Sequence, residues 1–263
     1  MAAAPASGEL LAVALDAAEA AGDLLLSRFG TAAAGVRAKS TPTDLVSEAD
    51  EAAERAIRAL LAERRPRDAV LGEEGGEGPA PAGGSGLRWV VDPLDGTINY
   101  LFGIPLWSVS VACEDAEGTV AGVVHHPAGG ETFAATRDSA PTLNGAPITA
   151  SRRDDLATAL VATGFAYDAP TRARQAAVVA GLLPQVRDIR RCGSAALDLA
   201  WTAAGRYDAY FERGSHAWDV AAGALICRRA GVDVRDLPPR DGLPEGLLAA
   251  PPALAGPLAA IVG

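Results

Sequence analysis

Lysine is nearly absent from this chain: Lys39 is the single one among 23 basic residues, all the others being arginine. No basic run offsets the 33 Asp and Glu, and a net charge of −10 argues against nucleic acid, itself a polyanion, as the main partner. Cysteine is scarce as well. Cys113, Cys192 and Cys227 are odd in number, far apart and set among apolar residues, which excludes a disulfide framework and reads as free thiols in a reducing cytoplasm. The three histidines, His125, His126 and His216, show no zinc-site spacing and read as structural or surface residues. Met1–Ser7 is alanine-rich without the basic region and apolar core of a signal peptide, and Leu247–Val262 is too short and too broken by proline to cross a bilayer. No membrane segment is expected.

What is present is ordinary in bulk and unusual in one place. With 263 residues, 49% hydrophobic and 21% charged, the chain can bury one large core or two tightly packed subdomains. A small phosphate ester stays compatible with the acidic charge if metal ions neutralise it. The unusual place is Arg88–Tyr100, an apolar run that ends in two carboxylates, a glycine and a threonine. Trp89–Val91 suits a core strand, and Pro93, which has no N–H, predicts that the ladder stops at Asp92. Asp92 and Asp95 then share a tight turn where Gly96 allows unusual backbone angles, and Thr97 opens a predicted helix whose free N–H groups favour an anion. Two carboxylates facing a phosphate-sized anion require cations between them, and hard oxygens with open positions suit Mg²⁺. An Asx-type turn with Thr97 as helix cap is the alternative. Lys39 likewise has two readings: chance, or a tight ionic pocket that accepts a compact ammonium and not a planar guanidinium.

Along the chain, Ser7 is expected to cap a first helix that Gly30 ends. Thr31–Thr43 reads as loop with a short extended piece, and Ser47 and Asp50 have capping-box spacing ahead of a helix to Arg64. Ala69–Gly76 is a short apolar run ending in Glu73 and Glu74 between glycines. Residues 77–86 read as a flexible surface loop. Ser108–Cys113, Thr119–Val124 and Glu131–Ala135 predict an antiparallel meander, and Asn144-Gly145 a turn. Ser151–Asp155 is taken as the boundary between subdomains 1–150 and 151–263. Beyond it, strand-like 159–162, 186–189, 207–211 and 232–234 alternate with helical 171–183, 194–204 and 217–230, which argues for an α/β layer. Asp219 falls at the start of the last of these helices, where an acid is stabilised in any case.

Five pieces, met in order, resemble the signature of the inositol monophosphatase family of Mg²⁺-dependent, lithium-sensitive phosphatases. They are Lys39 with Asp44–Asp50, Gly72-Glu73-Glu74, the Asp92–Thr97 turn, Gly193-Ser194-Ala195-Ala196, and Trp218–Gly223. The resemblance implies a layered α/β/α/β/α sandwich of two subdomains with the site between them, the first half α+β. It implies two or three Mg²⁺ ions, held by Glu73, Asp92, the Leu94 carbonyl, Asp95 and Asp219. It makes Asp50, Glu73 and Thr97 the catalytic residues that orient or deprotonate the attacking water, with Lys39 and Glu74 behind the ligands. Gly96, Thr97, the Ser194-Ala195 backbone and Glu212 match positions around the substrate, the first two at the phosphate. Two departures from the pattern, Ser215-His216-Ala217 before Trp218 and the lack of an aromatic in Asp138–Leu143, bear on substrate and not on chemistry.

The expected reaction is hydrolysis of a small phosphorylated polyol, inositol 1-phosphate first, by a cytoplasmic enzyme that the family makes a homodimer. Histidinol phosphate, or another sugar or nucleotide phosphate, is the alternative substrate. A catalytically silent binding or regulatory relative is the rival from another class, and its mark would be a lost ligand.

Overall fold

The computed structural model describes residues 6–31, 35–39, 45–78 and 83–263. Parts of the expected loops at 31–43 and 77–86, most of Met1–Ser7, and Asp44 of the first motif lie outside the described residues.

The first part of the chain opens with helix α1 (Ser7–Arg28), the short strands β1 (Arg37–Ala38) and β2 (Leu45–Val46), and helix α2 (Glu48–Arg64). Ser7 is the first residue of α1 and not its cap: Ala6 holds that position, and the Ser7 hydroxyl donates to Asp138 Oδ2 at 3.2 Å. The Ser47–Asp50 capping box forms as expected. An eight-stranded sheet follows. It is made of β3 (Ala69–Gly72), β4 (Gly76–Glu77), β5 (Arg88–Asp95), β6 (Ser108–Asp115), β7 (Gly118–His126), β8 (Glu131–Thr136), β9 (Thr142–Leu143) and β10 (Ala146–Pro147), with helix α3 (Thr97–Leu101) between β5 and β6. The β5 to β8 meander is antiparallel, whereas β3 lies parallel to β5. One expectation is corrected here: β5 does not stop at Asp92. It continues through Pro93 to Asp95, because the missing N–H is absorbed by a register shift between Asp92 and Asp95 against β6.

The second part forms a five-stranded sheet, ordered β12 (Asp188–Arg190), β11 (Leu160–Thr163), β13 (Ala209–Arg213), β15 (Gly246–Ala250) and β14 (Asp233–Leu237). Helices α4 (Ala169–Leu182), α5 (Ala195–Ala203), α6 (Ala217–Arg229) and α7 (Pro252–Val262) complete it. The apolar run near the C-terminus is therefore β15 followed by α7. Among the described residues no helix is long and apolar enough to cross a membrane.

Three apolar clusters define five layers. Alternate side chains of β5 point to opposite faces: Trp89 and Val91 pack with α1 and α2, through Leu10, Leu25 and Ile57, while Val90 packs inward with Leu197, Leu199, Leu225 and Ile226 of α5 and α6. The far face of the second sheet, Val161, Phe211 and Leu248, is covered by Leu182 of α4 and by Leu254 and Leu258 of α7. The order is α1/α2, sheet, α5/α6, sheet, α4/α7, an α/β/α/β/α sandwich. Burial on both faces is the reason that β5, β6 and β7 read as nearly continuous apolar runs.

Candidate active site

Parallel pairing of β3 with β5 sets Gly72 opposite Val91, so Glu73, just past β3, comes beside Asp92 of β5. The Glu73 N–H extends the ladder to Val91 O at 3.2 Å. Beyond Asp92 the strand continues irregularly to Asp95, with Asp92 Oδ1 accepting from the Leu94 N–H at 3.0 Å. Gly96 has φ +96°, and a Cβ there would meet Leu106 O at 3.0 Å and Gly193 O at 3.2 Å, so both conformation and space call for glycine. Thr97 starts α3 beside α2. Its hydroxyl lies 2.8 Å from Asp50 Oδ1 and 3.0 Å from Leu94 O, and its one hydrogen serves either acceptor in turn. Asp50 also accepts from Ser47 N at 2.9 Å and Ser47 Oγ at 2.5 Å. It is both the capping residue of α2 and the partner of Thr97.

Four carboxylates converge from three segments. Asp92 is buried, and burial followed by the charges of Glu73, Asp95 and Asp219 raises it well above the ordinary carboxylate range. Asp95 is pushed up to about 6 by burial, against Ser194 Oγ and Ala196 N, which donate to its Oδ2 at 2.7 Å each. Asp219, third residue of α6, accepts from the His216 N–H at 2.6 Å, yet burial and then Asp95 raise it well above its usual value. Glu73 accepts from Lys39 Nζ at 2.8 Å, and the same ammonium donates to Glu74 at 2.6 Å. Burial alone would lower Lys39, but the two glutamates carry it well above its ordinary value. Burial takes Glu74 up to about 7 in spite of that bond.

As they stand, no three of these acids close round one point as a metal-ligating group among the described residues, since each is turned to a donor of its own. The raised values nevertheless mark a site short of positive charge. A set of hard, anionic oxygens crowded in this way fits a hard divalent cation such as Mg²⁺.

The acids form one wall of a cleft of ≈ 520 Å³. Lys39, Glu73, Asp92, Leu94, Asp95, Gly96 and Thr97 line it from the first part of the chain, and Ala195, Glu212 and Asp219 from the second. Asp50, Glu74 and Ser194 stand behind that lining and act on it through Thr97, Lys39 and Asp95. Glu212, next to last in β13, lies against Gly164, where any side chain would strike its carboxylate, and accepts from the Tyr210 hydroxyl at 3.1 Å. Burial, then Asp95, raises it to about 7. Two features of the cleft were not anticipated from the sequence, the segment 164–168 and Arg191. His216, in the departure noted before Trp218, also lines the cleft and stacks on Trp218 with centroids 4.7 Å apart. The cysteines are free, Cys113 and Cys227 buried and Cys192 partly so.

Residues 7–262 match the sequence profile of the inositol monophosphatase family. The chain is 47% identical over 248 residues to the inositol-1-monophosphatase of Mycobacterium leprae, covering 88% of this chain and 83% of that one. It is 40% identical over 234 residues to the Nus factor SuhB of Pseudomonas aeruginosa, covering 86% and 85%. Among solved structures, the extragenic suppressor protein suhB from Bartonella henselae superposes with a TM-score of 0.88 at 36% identity, over 97% of this chain and 98% of that one.

Proposed function

The chain belongs to the inositol monophosphatase family and is a phosphatase, and from that premise we propose that it hydrolyses a phosphorylated polyol, inositol 1-phosphate first, with Mg²⁺. The observation that carries the reading is the convergence of Glu73, Asp92, Asp95 and Asp219 on one cleft wall, with Glu212 across from them. Glu73, Asp92 and the Leu94 carbonyl would hold one ion, and Asp92, Asp95 and Asp219 a second. Bound there, Mg²⁺ supplies a water of lowered pKa and neutralises charge developing on the leaving alkoxide.

The chain's own residues do the rest. Thr97 Oγ1, 2.8 Å from Asp50, accepts a hydrogen from the attacking water as its own proton moves toward Asp50. Burial raises Asp50 above its ordinary value, which suits a proton acceptor. The Gly96 and Thr97 N–H groups, at the start of α3, hold the phosphate. As the new P–O bond forms on one side, the bond to the ester oxygen breaks on the other, and the alkoxide takes a proton from solvent and leaves as the alcohol past Ala195 and Glu212. Exposed Phe102 (74%) and Ile104 (43%), next to α3, support the homodimer that the family leads one to expect.

Lys39 is the residue that tells this pocket from a simple acidic turn. Lys39→Arg should lower kcat/KM about tenfold, because a planar fork cannot sit between Glu73 and Glu74 as a compact ammonium does. Unchanged kinetics would return Lys39 to chance.

The substrate is tested by a panel of phosphate esters assayed with Mg²⁺ and with excess chelator. Inositol 1-phosphate should give the highest kcat/KM, activity should vanish in chelator, and Li⁺ should inhibit. Glu212→Ala should reduce kcat/KM for this ester by roughly 10–100-fold, the worth of a hydrogen bond to a charged group. A clear preference for histidinol phosphate, whose ammonium Glu212 could pair, would replace the polyol reading.

A further inference from the structure

Helix α2 carries a second buried carboxylate one turn beyond Asp50. Glu54 is 3% exposed, and its i,i+4 spacing sets it on the same helix face as Asp50. Both of its oxygens are occupied. Oε2 accepts from the Glu74 N–H at 2.7 Å, and Oε1 accepts from the Gly75 N–H at 2.9 Å and from Arg58 Nε at 2.7 Å. Arg58 closes the circuit by donating from Nη2 to Gly76 O at 2.7 Å. A Cβ on Gly72 or Gly75 would run into the Glu54 carboxylate, so the two glycines are what let the turn approach it. The 73–76 turn is thus tied to β5 on one side, through Glu73 N–H and Val91 O, and to α2 on the other.

We infer that Glu54, locked by Arg58, is a positioning residue that fixes where the Glu73 carboxylate stands relative to the Asp92–Thr97 turn. One face of α2 then sets two parts of the hydrolytic apparatus, Asp50 for Thr97 and Glu54 for Glu73. The inference rests on the reading of Glu73 as a Mg²⁺ ligand. Glu54 acts only through the backbone of the turn. A carboxylate can accept from two N–H groups and a guanidinium at once, whereas an amide in its place turns a donor toward one of them. Partners that stand behind a ligand typically change metal affinity by about 10–100-fold when lost.

The test is a calorimetric titration of the full-length protein with Mg²⁺, without substrate, for wild type, Glu54→Gln and Arg58→Lys. Circular dichroism and thermal melts establish which variants fold. Glu54→Gln should weaken Mg²⁺ binding by about 10–100-fold and raise the Mg²⁺ needed for half-maximal turnover by the same factor, with kcat at saturating Mg²⁺ changed by less than about threefold. Arg58→Lys, which keeps the charge but cannot bridge to Gly76 O, should fall between the two. A folded Glu54→Gln with wild-type affinity overturns the inference. If that variant does not fold, wild-type affinity in Arg58→Lys overturns it. A wild-type protein that binds no Mg²⁺ refutes the assignment of Glu73 as ligand instead, and takes this inference with it.

Discussion

Asp92→Asn should reduce turnover by at least about 10³-fold and, at the same time, stabilise the metal-free protein. Both effects come from one carboxylate. Asp92 is 2% exposed, and its neighbours Glu73, Asp95 and Asp219 all favour its uncharged form. The amide keeps the acceptor for the Leu94 N–H and the size of the side chain, so the turn itself survives. What disappears is the cost of keeping this carboxyl, charged or protonated, buried beside three other acids, so Tm in chelator should rise, by roughly 2–4 °C for each kcal/mol relieved in a chain of this size. In the proposed mechanism Asp92 serves both cation sites. Removing it withdraws several kcal/mol of charge stabilisation from the transition state, with each 1.36 kcal/mol worth a factor of ten. Asp219→Asn should behave alike, since the amide oxygen can still accept from the His216 N–H. Steady-state rates with saturating Mg²⁺ and melts in chelator check both effects. Near-normal turnover in either variant would reduce that acid to a turn or cap residue.

The metal-free protein should lose stability as the pH rises from about 4 to about 7. Asp95 is pushed up to about 6 and Glu74 and Glu212 to about 7, against unfolded values near 4. A folded-state pKa above the unfolded one means that the folded protein binds more protons in between. The stability so contributed is fully present below the unfolded pKa and is lost as the pH climbs through the folded one. For Asp95 alone, a rise of about two units corresponds to roughly 3 kcal/mol, or on the order of 10 °C in Tm. Lys39 does not offset this. Its pKa is raised from an already high value, so its contribution stays constant across the window. Surface acids held low by arginine, such as Asp115 beside Arg137, act near and below pH 4, where their contribution is lost as the pH falls. Calorimetric melts at pH 5, 6, 7 and 8 in chelator should therefore slope downward, and Mg²⁺ should flatten the slope by supplying the missing charge. A flat or rising profile in chelator would mean that the acids are outweighed by His125 and His126, which burial holds below their ordinary value and whose contribution grows as the pH rises toward about 6.5.

Much of this molecule is written in short-range signals. The Ser47–Asp50 box, the core strand at Trp89–Val91, and the Asn144-Gly145 turn with φ of 49° and 79° were all legible, because each depends on residues within one turn or one strand. The acids were singled out by the resemblance that five ordered pieces carry, since within its own segment each also reads as a turn or cap residue. Pro93 misled because its missing N–H was read as an end to β5, whereas pairing with β6 could shift register and carry the strand to Asp95.

The sequence by itself determined most of the longer strands and helices, though not β15 or α7, and which carboxylates stand near their ends, since these follow from hydrophobic period, backbone freedom and missing donors. It left Asp50 and Asp219 each with two roles open, a cap and a functional acid. Only the tertiary structure brought the capping Asp50 against Thr97, drew Asp219 to Asp95, and turned Asp95 onto Ser194 and Ala196, 99 and 101 residues away. It alone revealed Glu54 beneath the Glu73 turn and opened the cleft along the 164–168 segment. Such contacts depend on how whole layers register against one another, which is set by the summed burial of Trp89, Val90, Leu199 and their neighbours and not by any pattern within the segments that meet.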